Sequence, residues 1–120
     1  MSKFEDLDVW KLAHELVLDI YRVTSKFPQE GRFRLTDQLC RASSSIAMNI
    51  CEGTGRNTNK DFIHFLYISR GSLQETKYQL LLARDLNYIS NEDYKLLIDK
   101  CAVVGRLLNG LINKIGGTKT

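Results

Sequence analysis

The chain has 120 residues, a formal net charge of +3, and 43% hydrophobic and 26% charged residues. That length favours a single domain over 1–120, and a domain of this size buries roughly two-thirds of its unfolded surface without metal or disulfide staples. The composition excludes a disordered chain, and a pI of about 8.8 permits a polyanion partner without the dense basic clustering that marks a nucleic-acid binder on charge alone.

Residues 1–8 contain no apolar run, which argues against a signal peptide; the ends, about 1–7 and 116–120, read as short and flexible. The first predicted helix covers 9–26, with Asp8 as its N-cap. Val9, Ala13, Leu16, Ile20 and Val23 recur at three- and four-residue spacing, and Phe27-Pro28 ends it, because the residue before proline is pushed out of the α region. The second covers 34–52, with Leu35, Leu39, Ala42, Ile46 and Ile50 on one face and Gly53 and Gly55 as its stop. The third runs over 59–86 with Asn59 as N-cap. The fourth opens at Ser90, with Asp93 three residues on as a variant of the capping box. Its stripe is Tyr94, Leu97, Ile98, Cys101, Val104, Leu108, Ile112 and Ile115, and Gly116-Gly117 releases the chain. No stretch alternates as a half-buried strand does. The fold class is all-α, an antiparallel up-down four-helix bundle.

Apolar runs fall far short of the about 20 residues a membrane span requires, so no membrane is expected. Cys40 and Cys51 on one helix would lie about 16 Å apart along its axis, too far for a disulfide. With Cys101 they make an odd set of free thiols, suited to a reducing compartment, and the cytoplasm is the simple localisation.

On the third helix Phe62, Phe65, Leu66, Ser69, Leu73, Thr76, Leu80 and Ala83 share the core side. His64, Tyr67, Gly71, Tyr78 and Leu82 fall in a narrow arc opposite. A monomer would expose that arc and an oligomer would bury it, so self-association is expected there.

Nothing in the residue pattern favours catalysis. His14 and His64 lie on different helices, neither with a metal-like partner at i+4, and surface or packing roles are expected of both. No cysteine pair has zinc-site spacing, so no metal or cofactor is anticipated and Cys101 reads as a small core residue. The Glu52–Lys60 linker lacks P-loop spacing and a preceding strand, and reads as a glycine stop followed by an Asn cap.

Two polar patterns remain. Gln38, Arg41, Ser45, Asn49 and Glu52 occupy about a sixth of the second helix's circumference, beside its apolar stripe. Polar groups so near a core need hydrogen bonds, and a network reaching Ser72 and Glu75 on the third helix is expected in preference to a ligand groove. Arg70, Lys77 and Arg84 repeat every seven residues, one basic line that drifts slowly around its helix. A solvated face is the bland account; phosphate contact, multiplied by a ring of subunits, is the functional one.

Several segments together resemble one bacterial family. Phe27-Pro28 and Glu30, then Leu35 to Gly53 (Leu-Thr-Asp-Gln-Leu-Cys-Arg-Ala-Ser-Ser-Ser-Ile-Ala-Met-Asn-Ile-Cys-Glu-Gly), are similar to the signature of proteins encoded within intervening sequences of the 23S ribosomal RNA gene. Phe4-Glu-Asp-Leu7-x-Val-Trp10-x-x-Ala13 and Phe62-x-x-Phe65-Leu66-x-x-Ser69-Arg70-Gly71-Ser72-Leu73-x-Glu75 resemble its N-terminal segment and third helix. The resemblance implies a four-helix bundle, a ring-shaped homopentamer and a genomic link to ribosomal RNA. Related bundles serve as accessory factors of diversity-generating retroelements, which adds nucleic acid and a nucleic-acid-processing protein as partners by analogy. Asn49, Glu52, Gly53, Gly71, Ser72 and Glu75 fit the family's inter-helix network. Cys40 stands where an arginine is usual, leaving Arg41 alone of a basic pair, and Cys51 and Ser69 replace small apolar residues.

The resulting expectation is a non-enzymatic homo-oligomer that binds RNA or DNA phosphates through Arg70, Lys77 and Arg84, with Arg56 and Lys60 as secondary contacts. The alternative is a scaffold that binds only protein.

Overall fold

A computed structural model describes residues 3–29 and 32–116. Four long helices carry the fold: α1 (Asp8–Thr24), α2 (Asp37–Thr54), α3 (Asn59–Asp85) and α4 (Asn91–Gly116). Each packs on its neighbours in sequence, and α4 closes the cycle against α1. This is the antiparallel up-down bundle that the periodicity predicts, 45 × 22 × 21 Å in extent.

The apolar stripes meet on one axis. Leu16, Ile20, Leu39, Ile46, Ile50, Leu66, Leu80, Leu97 and Leu108 are fully buried and join one continuous cluster. A buried aliphatic side chain of this kind contributes about 1.5–3 kcal/mol by leaving water, so the stripes rather than helix propensity hold the helices in place.

The helix ends depart from the predicted ones for local reasons. Leu7, not Asp8, is the N-cap of α1 and makes no side-chain cap bond; Asp8 sits in the first turn, where its charge still favours the helix dipole. Thr58, not Asn59, caps α3, its hydroxyl accepting from the Asp61 amide at 3.1 Å. A threonine at that place does what the asparagine one residue later was expected to do. A single π-helical turn, Arg32–Thr36, precedes α2, so the regular helix begins at Asp37 rather than near Arg34. Ser90 does cap α4, accepting from the Asp93 amide at 3.0 Å, while the Asp93 carboxylate reaches Lys26 of α1 at 3.6 Å.

Gly53 is not the stop of α2. The helix runs through it to Thr54, with Gly55 as C-cap. Its role is close packing: a Cβ there would lie 2.7 Å from Phe62 Cδ1 and 3.2 Å from Phe65 Cβ. The α3–α4 turn is a Schellman closure around Asn87 at φ 62. The Tyr88 amide donates to Ala83 O at 2.8 Å and the Asn87 amide to Arg84 O at 2.9 Å. Asparagine takes this left-handed position more readily than most residues. The Tyr88 ring then meets Phe27 at 5.7 Å, tying the turn to the end of α1.

The N-terminal stretch expected to be flexible holds a 3-10 turn, Phe4–Asp6, whose Phe4 ring stands edge-on to Trp10 at 4.8 Å. At the other end α4 extends through Gly116, and 117–120 lie outside the described residues.

Candidate nucleic-acid and self-association surfaces

Going round the bundle from α1, three surfaces stand out: a polar groove over α2, the outer ridge of α3, and the α3–α4 seam. The groove encloses about 1040 Å³ and is lined from α1 by Tyr21, from α2 by Gln38, Arg41, Ser45, Met48, Asn49 and Glu52, and from α3 by Phe65, Glu75 and Gln79, among others.

Its floor is the α2–α3 contact. Gln38, Ser45 and Glu52 step forward by seven residues while Gln79, Ser72 and Phe65 step back by seven, the register of an antiparallel heptad seam. Ser72 Oγ donates to Ser45 Oγ at 2.8 Å, Gln79 Nε2 to Gln38 Oε1 at 3.4 Å, and Ser69 Oγ to the Ile46 carbonyl at 2.8 Å.

The expected network is therefore narrower than predicted and partly made of other residues. Ser45 and Ser72 do meet across the helices. Asn49 instead turns back within α2, donating to Ser45 O at 2.8 Å and Oγ at 2.9 Å. Arg41 pairs with Asp37 at 2.7 Å along its own helix, and Glu52 pairs with Arg56 at 2.7 Å. Glu75 is exposed and reaches no partner among the described residues. Gln79 and Ser69 take the places the prediction gave to Glu75 and Asn49. Both are buried, and their spacing from Ser72 on α3 was the signal available in the sequence. Gln79 Oε1 is buried with no partner.

The outer ridge of α3 carries His64, Tyr67, Gly71 and Tyr78, all exposed. Leu82 does not belong with them: it is half-buried and packs against the core cluster, so the end of that arc is already used within the monomer. Ile68, 40% exposed, belongs to the ridge although the sequence reading omitted it. His64 meets Phe65 edge-on at 5.5 Å, and His14, far away on α1, stacks on Trp10 at 5.0 Å.

The seam between α3 and α4 gathers the basic line. Arg70 donates to Asn109 Oδ1 at 3.0 Å and lies 4.7 Å over the Tyr67 ring. Arg84 lies 4.7 Å over the Tyr94 ring and pairs with Asp85 at 3.2 Å. Lys77 is half-buried between them. Arg70, Lys77 and Arg84 thus share one seam, at steps of about 10.5 Å along the axis. Arg106 joins them from α4. Gly105 sits against Leu73, and Arg106 follows about 60° round the helix from Asn109, facing outward. The sequence reading missed it because only the packing of α4 on α3 brings it to the line.

Arg56 and Lys60 do not join this seam. Arg56 lies 4.5 Å over the Phe65 ring, on the α2 flank of α3, and Lys60 is exposed in the first turn of α3.

Chemistry beyond binding finds little support in the titratable groups. Burial pushes the Cys101 thiol up to about 12, against a lowering influence of Lys77. Burial also raises Cys40, opposed by the Thr24 hydrogen bond and reinforced by Asp37. Neither thiol is a poised nucleophile. Among the described residues no group of His, Cys, Asp and Glu is arranged to hold a metal ion, and no helix is long and apolar enough to cross a membrane.

The 23S rRNA-intervening sequence protein family matches residues 5–110. The chain belongs to that family. A crystal structure of a protein with unknown function from the S23 ribosomal protein family of Bacteroides thetaiotaomicron VPI-5482 aligns with a TM-score of 0.79 at 27% identity, over 87% of this chain and 97% of that one. No curated protein matches the chain. The family's four-helix bundle is thus the fold of this member, and its groove, ridge and seam are features of that bundle.

Proposed function

We propose that this intervening-sequence family member is a non-enzymatic, cytoplasmic homo-oligomer that binds RNA or DNA through the phosphates. The observation that carries the reading is the charge of the α3–α4 seam. Arg70, Lys77, Arg84, Lys95 and Arg106 outnumber the carboxylates beside them, and those carboxylates are occupied: Asp85 by Arg84 and Asp99 by Lys95. Arg70, Lys77 and Arg106 have no carboxylate partner among the described residues. Guanidinium groups held over Tyr67 and Tyr94 keep a fixed direction while leaving edges free to meet phosphate oxygens. A ring of subunits, pentameric if it follows the family resemblance, would repeat the seam and strengthen a field that one chain of net charge +3 supplies only weakly.

A specific observation favours a second reading, the protein-only scaffold. Arg70 and Arg84 already have partners in Asn109 and Asp85, so their charge is partly spent inside the molecule.

The two readings separate on a salt titration of binding to structured RNA and duplex DNA. The nucleic-acid reading expects affinity to fall steeply with salt, with a slope that counts phosphate contacts. It also expects Arg70→Glu, Lys77→Glu and Arg106→Glu together to abolish binding while leaving the oligomer mass unchanged. Undiminished binding by that triple variant would remove the seam from the account, and no binding at low salt would leave the scaffold.

A further inference from the structure

Gly71 sits near the middle of α3, exposed, and a Cβ built on it meets nothing within 4 Å. Glycine is among the least favourable residues in a helix interior, and nothing inside the monomer requires one here, in contrast to Gly53, which Phe62 crowds. Around Gly71 stand Tyr67, Ile68 and Tyr78, which are 48%, 40% and 61% exposed. The result is a convex apolar ridge with a notch in it. A missing side chain flanked by exposed rings is what a second backbone or bulky side chain would need in order to approach closely.

The complementary shape lies on another side of the same molecule. The groove over α2 is concave, and its walls include Tyr21, Met48 and Phe65, of which Met48 is 68% exposed. Charge agrees with shape. Glu75 on the groove rim has no ion partner among the described residues, and neither have Lys60 and Lys77 on the flanks of the ridge. Both halves of a matched pair are therefore carried by one chain, which singles out a second copy as the occupant over a partner of another sequence.

We infer that the α3 ridge of one copy seats in the α2 groove of the next, with Gly71 at the point of closest approach. The inference rests on the self-association proposed above and specifies its geometry. Unlike patches make the contact heterologous, so subunits add head to tail and close into a ring where the rotation permits. The α3–α4 seam stays outside the contact and is repeated in every subunit.

Two surface variants test this. Gly71→Leu fills the notch and blocks the ridge but keeps the groove; Met48→Lys blocks the groove but keeps the ridge. Both positions are exposed, and unchanged helical content by circular dichroism verifies that each variant folds. Light scattering at micromolar concentration should give a multimer for the parent chain and 13.8 kDa for each variant alone. An equimolar mixture should give the mass of two chains, because one intact ridge meets one intact groove and growth then stops. A mixture that stays monomeric, or a Gly71→Leu chain that keeps the full multimer mass, overturns the inference. A monomeric parent chain overturns the self-association reading itself, and the seating with it.

Discussion

Gly53 shows how one missing side chain sets the distance between two helices. It lies in the last turn of α2, where α3 turns back beneath it, and the Phe62 ring occupies the space a Cβ would need. Phe62 is itself buried, so it has little freedom to retreat. Gly53→Ala should therefore lower stability by about 1–3 kcal/mol, the usual cost of overpacking a core, even though alanine is the better helix former. Gly110 is the matched control: it is also helical and exposed, and a Cβ there meets nothing, so Gly110→Ala should raise stability by about 0.5–1 kcal/mol. Thermal melts of the two variants should move in opposite directions. A Gly53→Ala chain that melts with or above the parent would mean that the ring yields. At this scale the sequence is a poor guide, since a Gly after an amphipathic segment reads as a helix stop and only the neighbouring helix reveals a packing role.

At the scale of the helix, the apolar stripes are legible because they depend on period alone. Val9, Leu16 and Ile20 or Leu97, Leu108 and Ile112 reach the core whatever lies opposite. Cross-helix partners are not legible, because they depend on register. Glu75 and Gln79 are both polar and lie one turn apart on α3, yet Gln79 turns into the α2 contact and Glu75 out of it. The tie between α1 and α4 has the same origin. Asp19 of α1 accepts a hydrogen bond from Lys100 of α4, 81 positions away, and a second from Arg22 at 3.2 Å. Burial alone would raise the Asp19 carboxyl, but the hydrogen bonds and charges of Lys100 and Arg22 outweigh it and hold the group below its ordinary value. A carboxyl depressed on folding adds stability that is present above its unfolded pKa, about 3.9, and is lost as pH falls through the folded value. The parent chain should thus exceed Asp19→Asn in stability by about 1 kcal/mol at neutral pH, the upper end for such pairs. The gap should close progressively below about pH 4. Denaturant unfolding at a series of pH values measures it, and a gap that is equally wide at pH 2 would assign the effect to packing instead of charge.

For the whole molecule, the three thiols act as reporters of how the bundle opens. Cys101 is fully buried in the shared core and its thiol is pushed up to about 12, so at neutral pH it is both unreachable and protonated. Cys40 and Cys51 lie half-buried on α2. The core is one cluster to which all four helices contribute, and no subset of helices retains a closed interior of its own. Opening that exposes Cys101 must then be close to global unfolding, whereas fluctuations of α2 suffice for the other two. In single-cysteine variants, labelling by a thiol reagent should be slow at Cys101 and should accelerate with denaturant in step with the global unfolding free energy. Cys40 and Cys51 should react orders of magnitude faster, with weak denaturant dependence. Comparable rates at all three positions would mean that α4 detaches on its own. In that event the α3–α4 seam, with Arg70 bonded to Asn109 across it, would be a transient surface, and a phosphate-binding line built on it would lose the rigid spacing that makes repetition around a ring effective.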